Sequence, residues 1–171
     1  MTQPMPTAVT TNGTVAVKFV TAIANPAAPT VTEVNAVSSI DLSCYLTGDG
    51  YNAETSENTV EDPRLCSKQI FEARGDFTDT LEITYVFNPA SPSDDEARIG
   101  LPPGTTGFLT TRWAVDSEDA FAADDIVDVI PVEAGVQRKN APTRNGVHRI
   151  TQKMFITGPV RRDVEIVAGG G

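Results

Sequence analysis

Hydrophobic and polar residues alternate along most of this chain with the period-2 rhythm of strands rather than the 3.6-residue rhythm of helices. Val15, Val17, Phe19, Thr21 and Ile23 alternate with Ala16, Lys18, Val20 and Ala22. Ile40, Leu42, Cys44 and Leu46 alternate with Asp41, Ser43 and Tyr45. The clearest strand is Phe77 to Phe87, which puts Phe77, Leu81, Ile83, Tyr85 and Phe87 on one face and Thr78, Thr80, Glu82 and Thr84 on the other. Asp79 interrupts its apolar face. Further strands are predicted over Phe108–Val115, Ile126–Lys139, Arg149–Thr157 and Val160–Ala168, with Pro131 and Gly135 marking an edge, bulge or bend in the second of these.

Turn chemistry separates these runs. Residues 47–63 (TGDGYNAETSENTVEDP) read as a long polar connection, and the extended pattern resumes over Leu65–Arg74. The pair is thus predicted to form a long hairpin whose loop projects from the domain toward a neighbour. Two short helices are expected. One follows Pro29, with proline at its first position; the other lies in NPASPSDDEARI, where Ser93 and Glu96 have capping-box spacing. SEDAFAADD is a short helix or an acidic loop, and Asn145-Gly146 is a hairpin signal. About eight strands with one or two flanking helices predict a mainly β domain, a sandwich or barrel, over residues 14–168. Residues 1–13 form an N-terminal arm and 169–171 a loose glycine tail.

Charge adds a second pattern. The 171 residues carry 23 acids and 13 bases, for a net charge of −10, the wrong sign for clamping nucleic acid. Seven of the bases (Arg138, Lys139, Arg144, Arg149, Lys153, Arg161, Arg162) fall between 138 and 162, where no acid occurs. Asp116 to Asp128 holds only acids, and so does the run Asp49, Glu54, Glu57, Glu61 and Asp62. Charge sorted in this way allows one surface of a subunit to attract a different surface of its copy.

Catalytic chemistry is sparse. His148 is the single histidine and sits in turn sequence; neither a GxSxG elbow, a Walker loop nor GxGxxG occurs. Cys44 and Cys66 are expected to be small core-facing thiols, with a disulfide left open, and cannot supply a structural zinc site. Asp116, Asp119 and Asp124 are the one carboxylate set with a claim on calcium, and Glu61-Asp62 the one pair with a claim on glycosidase chemistry; both are weak. Trp113 and Tyr85 stand beside aliphatics and are expected in the core. No cofactor is implied. The first residues lack a signal-peptide pattern and no apolar run is long enough for a membrane helix, so the chain is expected to be soluble and made in the cytoplasm.

The segments DLSCYL, DGYN, EDPRLCS, LEITYVFNP, PGTTGFLTTRWAVD, VDVIPVEAGVQRK and RITQKMFITGPVRRDVEIVA, in that order, resemble the major tail proteins of long-tailed phages that infect actinobacteria. The likeness spans roughly residues 14 to 168. It implies a β-sandwich with a flanking helix that assembles into hexameric rings, stacked head to tail, whose inner sheets join around a DNA channel. Its implied partners are copies of itself, a tape-measure protein in the lumen, tail terminator and distal tail proteins, and double-stranded DNA that passes without specific binding; no membrane is involved. Its implied location is the virion tail. Within that frame Asp49, Glu54, Glu57, Glu61, Asp62, Arg138, Lys139 and Arg144 are candidate inter-ring contacts, and Glu72 and Glu82 are candidates for an acidic or neutral lumen. The competing reading is another virion module, a capsid decoration or tail-completion protein; a cell-surface binding module and an enzyme rank below it.

Overall fold

A computed structural model describes residues 4–169. The elements are β1 (Val15–Val20), α1 (Val31–Val34), β2 (Ile40–Asp41), β3 (Leu46–Asp62), β4 (Phe71–Val86), a 3-10 turn (Pro92–Asp94), α2 (Glu96–Gly100), β5 (Thr106–Trp113), β6 (Ile126–Lys139), β7 (Arg149–Ile156) and β8 (Arg161–Glu165). The eight strands form one antiparallel sheet in the order β2-β1-β5-β6-β7-β4-β3, with β8 also paired to β6. The sheet curls into a half-barrel, so the expected mainly β fold with short helices is present.

The curl encloses the larger core. Val17 and Phe19, Leu81, Ile83 and Tyr85, Leu109, Val132, Ile150 and Met154 line its inner face, and Ala97 and Leu101 of α2 fill it. Inside, the Tyr85 hydroxyl donates to Gln152 (3.1 Å), whose amide donates to the carbonyls of Leu101 and Gly135. A second core covers the other face of β1, β5 and the first half of β6, where Ala16, Val20, Val127 and Val129 meet Val34 of α1, Phe121 and Ile166. β1 is therefore buried on both faces, and Ile23 lies past its end in the second core rather than beside Val17 and Phe19.

Pro131 sits inside a strand with partners on both sides, and its position explains why it is tolerated. β8 pairs with β6 through Val129, whereas β7 takes over from Val132. The carbonyl of Pro131 accepts from Thr157 N–H on that same side, so the missing N–H falls at the handover and no ladder bond is lost.

Both helix starts differ from expectation. Thr30, not Pro29, caps α1: its hydroxyl accepts from Glu33 N–H while the Glu33 carboxylate accepts from Thr30 N–H and Ala24 N–H. Pro29 precedes the cap. For α2, Ser93 lies in the 3-10 turn and makes no capping bond; the helix begins after Asp95, a buried acid held by Arg98 at 2.6 Å. SEDAFAADD contains no helix. Residues 4–13 are exposed and hold no strand or helix, whereas Gly170 and Gly171 lie outside the described residues, as do Met1 to Gln3.

Candidate assembly surfaces

The segment expected to be a polar loop, residues 47–63, is instead most of a 17-residue strand. β3 pairs with β4 from Leu46↔Tyr85 to Asp62↔Phe71, and the turn between them occupies only 63–70. Extended backbone is supported by Tyr51, Thr55, Thr59 and Val60 and by cross-strand bonds between side chains. Thr55 donates to Asp79, Asn58 donates to Asp76 at 2.8 Å, and Arg74 pairs with Glu57. Gly50 permits a bulge at the base, where a Cβ would lie 2.1 Å from the Thr84 carbonyl oxygen.

β7 pairs with β4 only over Leu81–Val86. Residues 54–62 and 71–80 thus pair only with each other and form a two-stranded arm about 30 Å long. Its root is tied down by Arg162, which donates to Asp79 at 2.9 Å. Asp79, the residue that interrupts the apolar face in sequence, owes its place there to this pair.

The candidate acids lie along this arm. Asp49 stands at its base, where the Thr47 hydroxyl and its own N–H, with the positive charge of Arg149, hold its carboxyl below the usual range. Glu54 lies beside Asn52, Glu57 pairs with Arg74, and Asp62 makes a two-pronged bond with Arg64 at 2.7 Å. The run is therefore not unopposed, as its sequence implies. Glu61 faces Glu72 directly across the ribbon, a like-charge pair that is destabilising without a cation over it. Glu72 accordingly belongs to the arm and shares its surface with Glu61.

Arg138, Lys139, Arg144 and Arg149 gather at the β6–β7 connection, residues 140–148. Asn145 adopts φ 63° and Gly146 N–H bonds the Thr143 carbonyl, so the Asn-Gly turn is present, but inside a longer connection than a tight hairpin. Lys139 Nζ lies 5.6 Å from the Phe87 ring centroid. β4 runs from the arm at Phe71 to Val86, which faces Arg149. The acidic arm and the basic connection thus occupy opposite ends of one strand, separated along 16 residues by about 50 Å.

Among the described residues nothing covers the outer face of β4, β7 and the second half of β6. Glu82 stands there opposite Lys153, Glu133 opposite Phe155, and Arg138 opposite Thr151. Charges sorted in the sequence are thus interleaved on this face, because antiparallel pairing brings basic β7 beside β4.

The acidic run 116–128 holds a residue that the sequence pattern does not flag. Arg112 is 1% exposed, and its guanidinium donates to the carbonyls of Asp116, Asp119 and Ala120 and to the Asp125 carboxylate (2.7–3.0 Å). Its only sequence signal is a lone arginine in an apolar strand followed by an acid-rich segment without helix periodicity. Trp113, expected in the core, is 45% exposed. It shares a face with Leu109 but lies at the strand end, where its indole N–H donates to Asp128 (2.9 Å) and its ring meets Tyr51 edge-on. Tyr85 is buried as expected. Cys44 and Cys66 are exposed free thiols rather than core residues: Cys44 precedes β3 and Cys66 lies in the arm tip. His148 is exposed against the Phe87 ring.

Among the described residues, no three His, Cys, Asp or Glu side chains are grouped to hold a metal ion, and no helix is long and apolar enough to cross a membrane. A search among curated proteins returns no match. Among solved structures, the chain is similar to one in the cryo-EM structure of the anti-feeding prophage baseplate, 6-fold symmetrised. The TM-score is 0.51 at 9% identity, covering 94% of this chain and 96% of that one. That likeness concerns the fold. The sequence itself matches the family described as phage tail tube protein over residues 2–169, nearly its whole length. The chain belongs to the phage tail tube protein family.

Proposed function

We propose that this protein is the repeating subunit of the tail tube of a long-tailed, non-contractile phage, forming hexameric rings that stack head to tail around the channel for DNA ejection. The observation that carries the stacking is the placement of the acidic arm and the basic connection at opposite ends of β4. Unlike, complementary ends produce a heterologous contact that repeats along an axis without closing. A decoration or completion module, which stops at one site, has no need of such ends.

Lateral ring closure is supported by the sheet edges. Among the described residues the outer edge of β3 is unpaired, and the opposite edge carries the two-residue β2. Exposed edges of this kind call for a partner strand or a cover. In the proposed tube the uncovered β4–β7–β6 face lines the channel. Its charge is mixed, with Glu82 and Glu133 among Arg138, Arg149 and Lys153, rather than acidic. The tape-measure protein, terminator, distal tail proteins and passing DNA are its proposed partners, and the virion tail its location after assembly in the host cytoplasm.

The test is assembly of the purified protein, read by negative-stain microscopy. Hollow tubes of uniform width are expected. Replacing Glu54, Glu57, Glu61 and Asp62 with lysine is expected to leave folded subunits that form no tubes, and also reversing Arg138, Lys139 and Arg144 to glutamate should restore them. Unimpaired tubes from the lysine variant would refute the axial contact.

A further inference from the structure

In a regular strand Phe71, Ala73, Gly75, Phe77, Asp79 and Leu81 share one face. Here a bulge divides them. Between the pairs Glu57↔Phe77 and Thr59↔Arg74, the single residue Asn58 of β3 faces both Gly75 and Asp76 of β4. Beyond the bulge Ala73 stands opposite Val60 and Phe71 opposite Asp62; without it Ala73 would stand opposite Glu61. Cross-strand partners share a face, so the outer arm has one side of Val60, Ala73 and Phe71, closed at its outer end by Asp62, and another of Thr59, Arg74, Glu61 and Glu72. Gly75 makes this possible, since a Cβ there would lie 2.8 Å from the Asn58 carbonyl oxygen. Asn58 also bonds Asp76 across the bulge.

The apolar side is open: Val60 is 55% and Phe71 52% exposed, with Leu65 and Ile70 exposed in the adjoining turn. A two-stranded ribbon of this kind is marginal in water alone. The basic end of the body exposes Val86 and Val147 among Arg138, Lys139, Arg144 and Arg149, while Asp62 and Asp76 rim the apolar side of the arm. The arm points away from its own basic end along β4, so the two surfaces meet only between molecules.

We propose that the Val60, Ala73 and Phe71 side of the ribbon is the docking face of the arm, that it lies on the Val86–Val147 surface of a second copy of this chain, and that the Gly75 bulge is the device that assembles it. This rests on the tube reading above. Phe71→Ser and Val60→Ser, both at half-exposed sites, are expected to keep the wild-type circular dichroism and melting point and to raise the concentration needed for tubes about tenfold or more, as loss of a buried anchor does. Thr59→Ala, on the other side, should leave that concentration unchanged. Benzoylphenylalanine at position 71 should crosslink to peptides of another copy containing Val86 or Val147. Absence of tubes from the wild-type protein would overturn the tube reading and this face with it. Tubes from the wild type together with undiminished assembly of both serine variants, or crosslinks from position 71 to another surface, would overturn the face alone.

Discussion

Replacement of Arg112 by methionine is expected to destabilise the folded chain by about 3 kcal/mol while leaving every exposed surface chemically unchanged. The side chain is 1% exposed, so methionine keeps much of the packing volume and removes only the guanidinium. That group satisfies the Asp116, Asp119 and Ala120 carbonyls and the Asp125 carboxylate, and it lies 4.5 Å from the Phe121 ring centroid. Removing one member of a buried ion pair costs roughly 3–5 kcal/mol, chiefly through the charge left behind. The lower end applies here for two reasons. Asp125 is 18% exposed and retains the Ala122 N–H, and the Nε of Arg112 is already unpaired in the folded state. For a chain of this length the loss corresponds to a fall of about 6–12 °C in melting temperature. Urea unfolding followed by circular dichroism should show a lower midpoint at unchanged slope, and hydrogen exchange should quicken in residues 114–125. Arg112→Lys should recover less than half, since one ammonium cannot reach four acceptors placed around a planar fork. A methionine variant within about 0.5 kcal/mol of wild type, the size of an ordinary surface change, would refute the cage.

Two other contacts lend themselves to direct measurement. Thr30→Ala should cost about 1 kcal/mol by removing the cap acceptor of α1. Burial alone would raise the Glu33 carboxyl, but bonds from Ala24 and Thr30 hold it below its ordinary value. Its contribution is therefore present above the unfolded carboxylate range and lost as pH falls through the lower folded value; Glu33→Gln should flatten the acid limb of a stability–pH profile. At the arm root, Asp79→Asn or Arg162→Met should loosen the angle of the arm without unfolding the sheet. Nitroxides on the native exposed thiols Cys44 and Cys66 would then report a broader distance distribution by pulsed electron resonance; an unchanged width would show that Arg162 does not hold the arm.

Strand periodicity identifies the core of β4 because Leu81, Ile83 and Tyr85 are buried among apolar neighbours while the alternate residues Thr80, Glu82 and Val86 are exposed. The same reasoning fails over most of residues 47–63, because from Asn52 to Glu61 both ribbon faces are exposed and alternation has nothing to report. Glycine, asparagine and acids there read as loop, although cross-strand pairing supplies what composition does not. Trp113 was misassigned for a related reason: its face was correct, but the end of the core cannot be read from one strand. Arg112 was illegible because its acceptors are mostly backbone carbonyls, which carry no sequence identity. The capping-box spacing at Ser93 was matched by chance, while the functional box, Thr30 with Glu33, stood one residue past the proline that drew attention. The acidic and basic runs were visible from the outset. Their positions at opposite ends of β4 followed only from strand register.

That register also separates the roles of charge and apolar surface in the proposed contact. Glu57 and Asp62 are already paired within the arm to Arg74 and Arg64, and all four side chains are about half or more exposed. Such pairs are worth no more than about 1 kcal/mol, so exchanging them for the arginines of a second copy changes little in net energy. Glu61 and Glu72 differ, because among the described residues neither has an ion-pair partner, and a cation from a second copy would relieve their mutual repulsion. Charge therefore selects which end of a copy the arm approaches and speeds the encounter, as complementary fields do. Adhesion must come from surface that is desolvated on contact, and on the outer arm that surface is the side carrying Val60 and Phe71. An arm with the acids but a regular register would find the right end of its neighbour and present it with Glu61 beside Ala73.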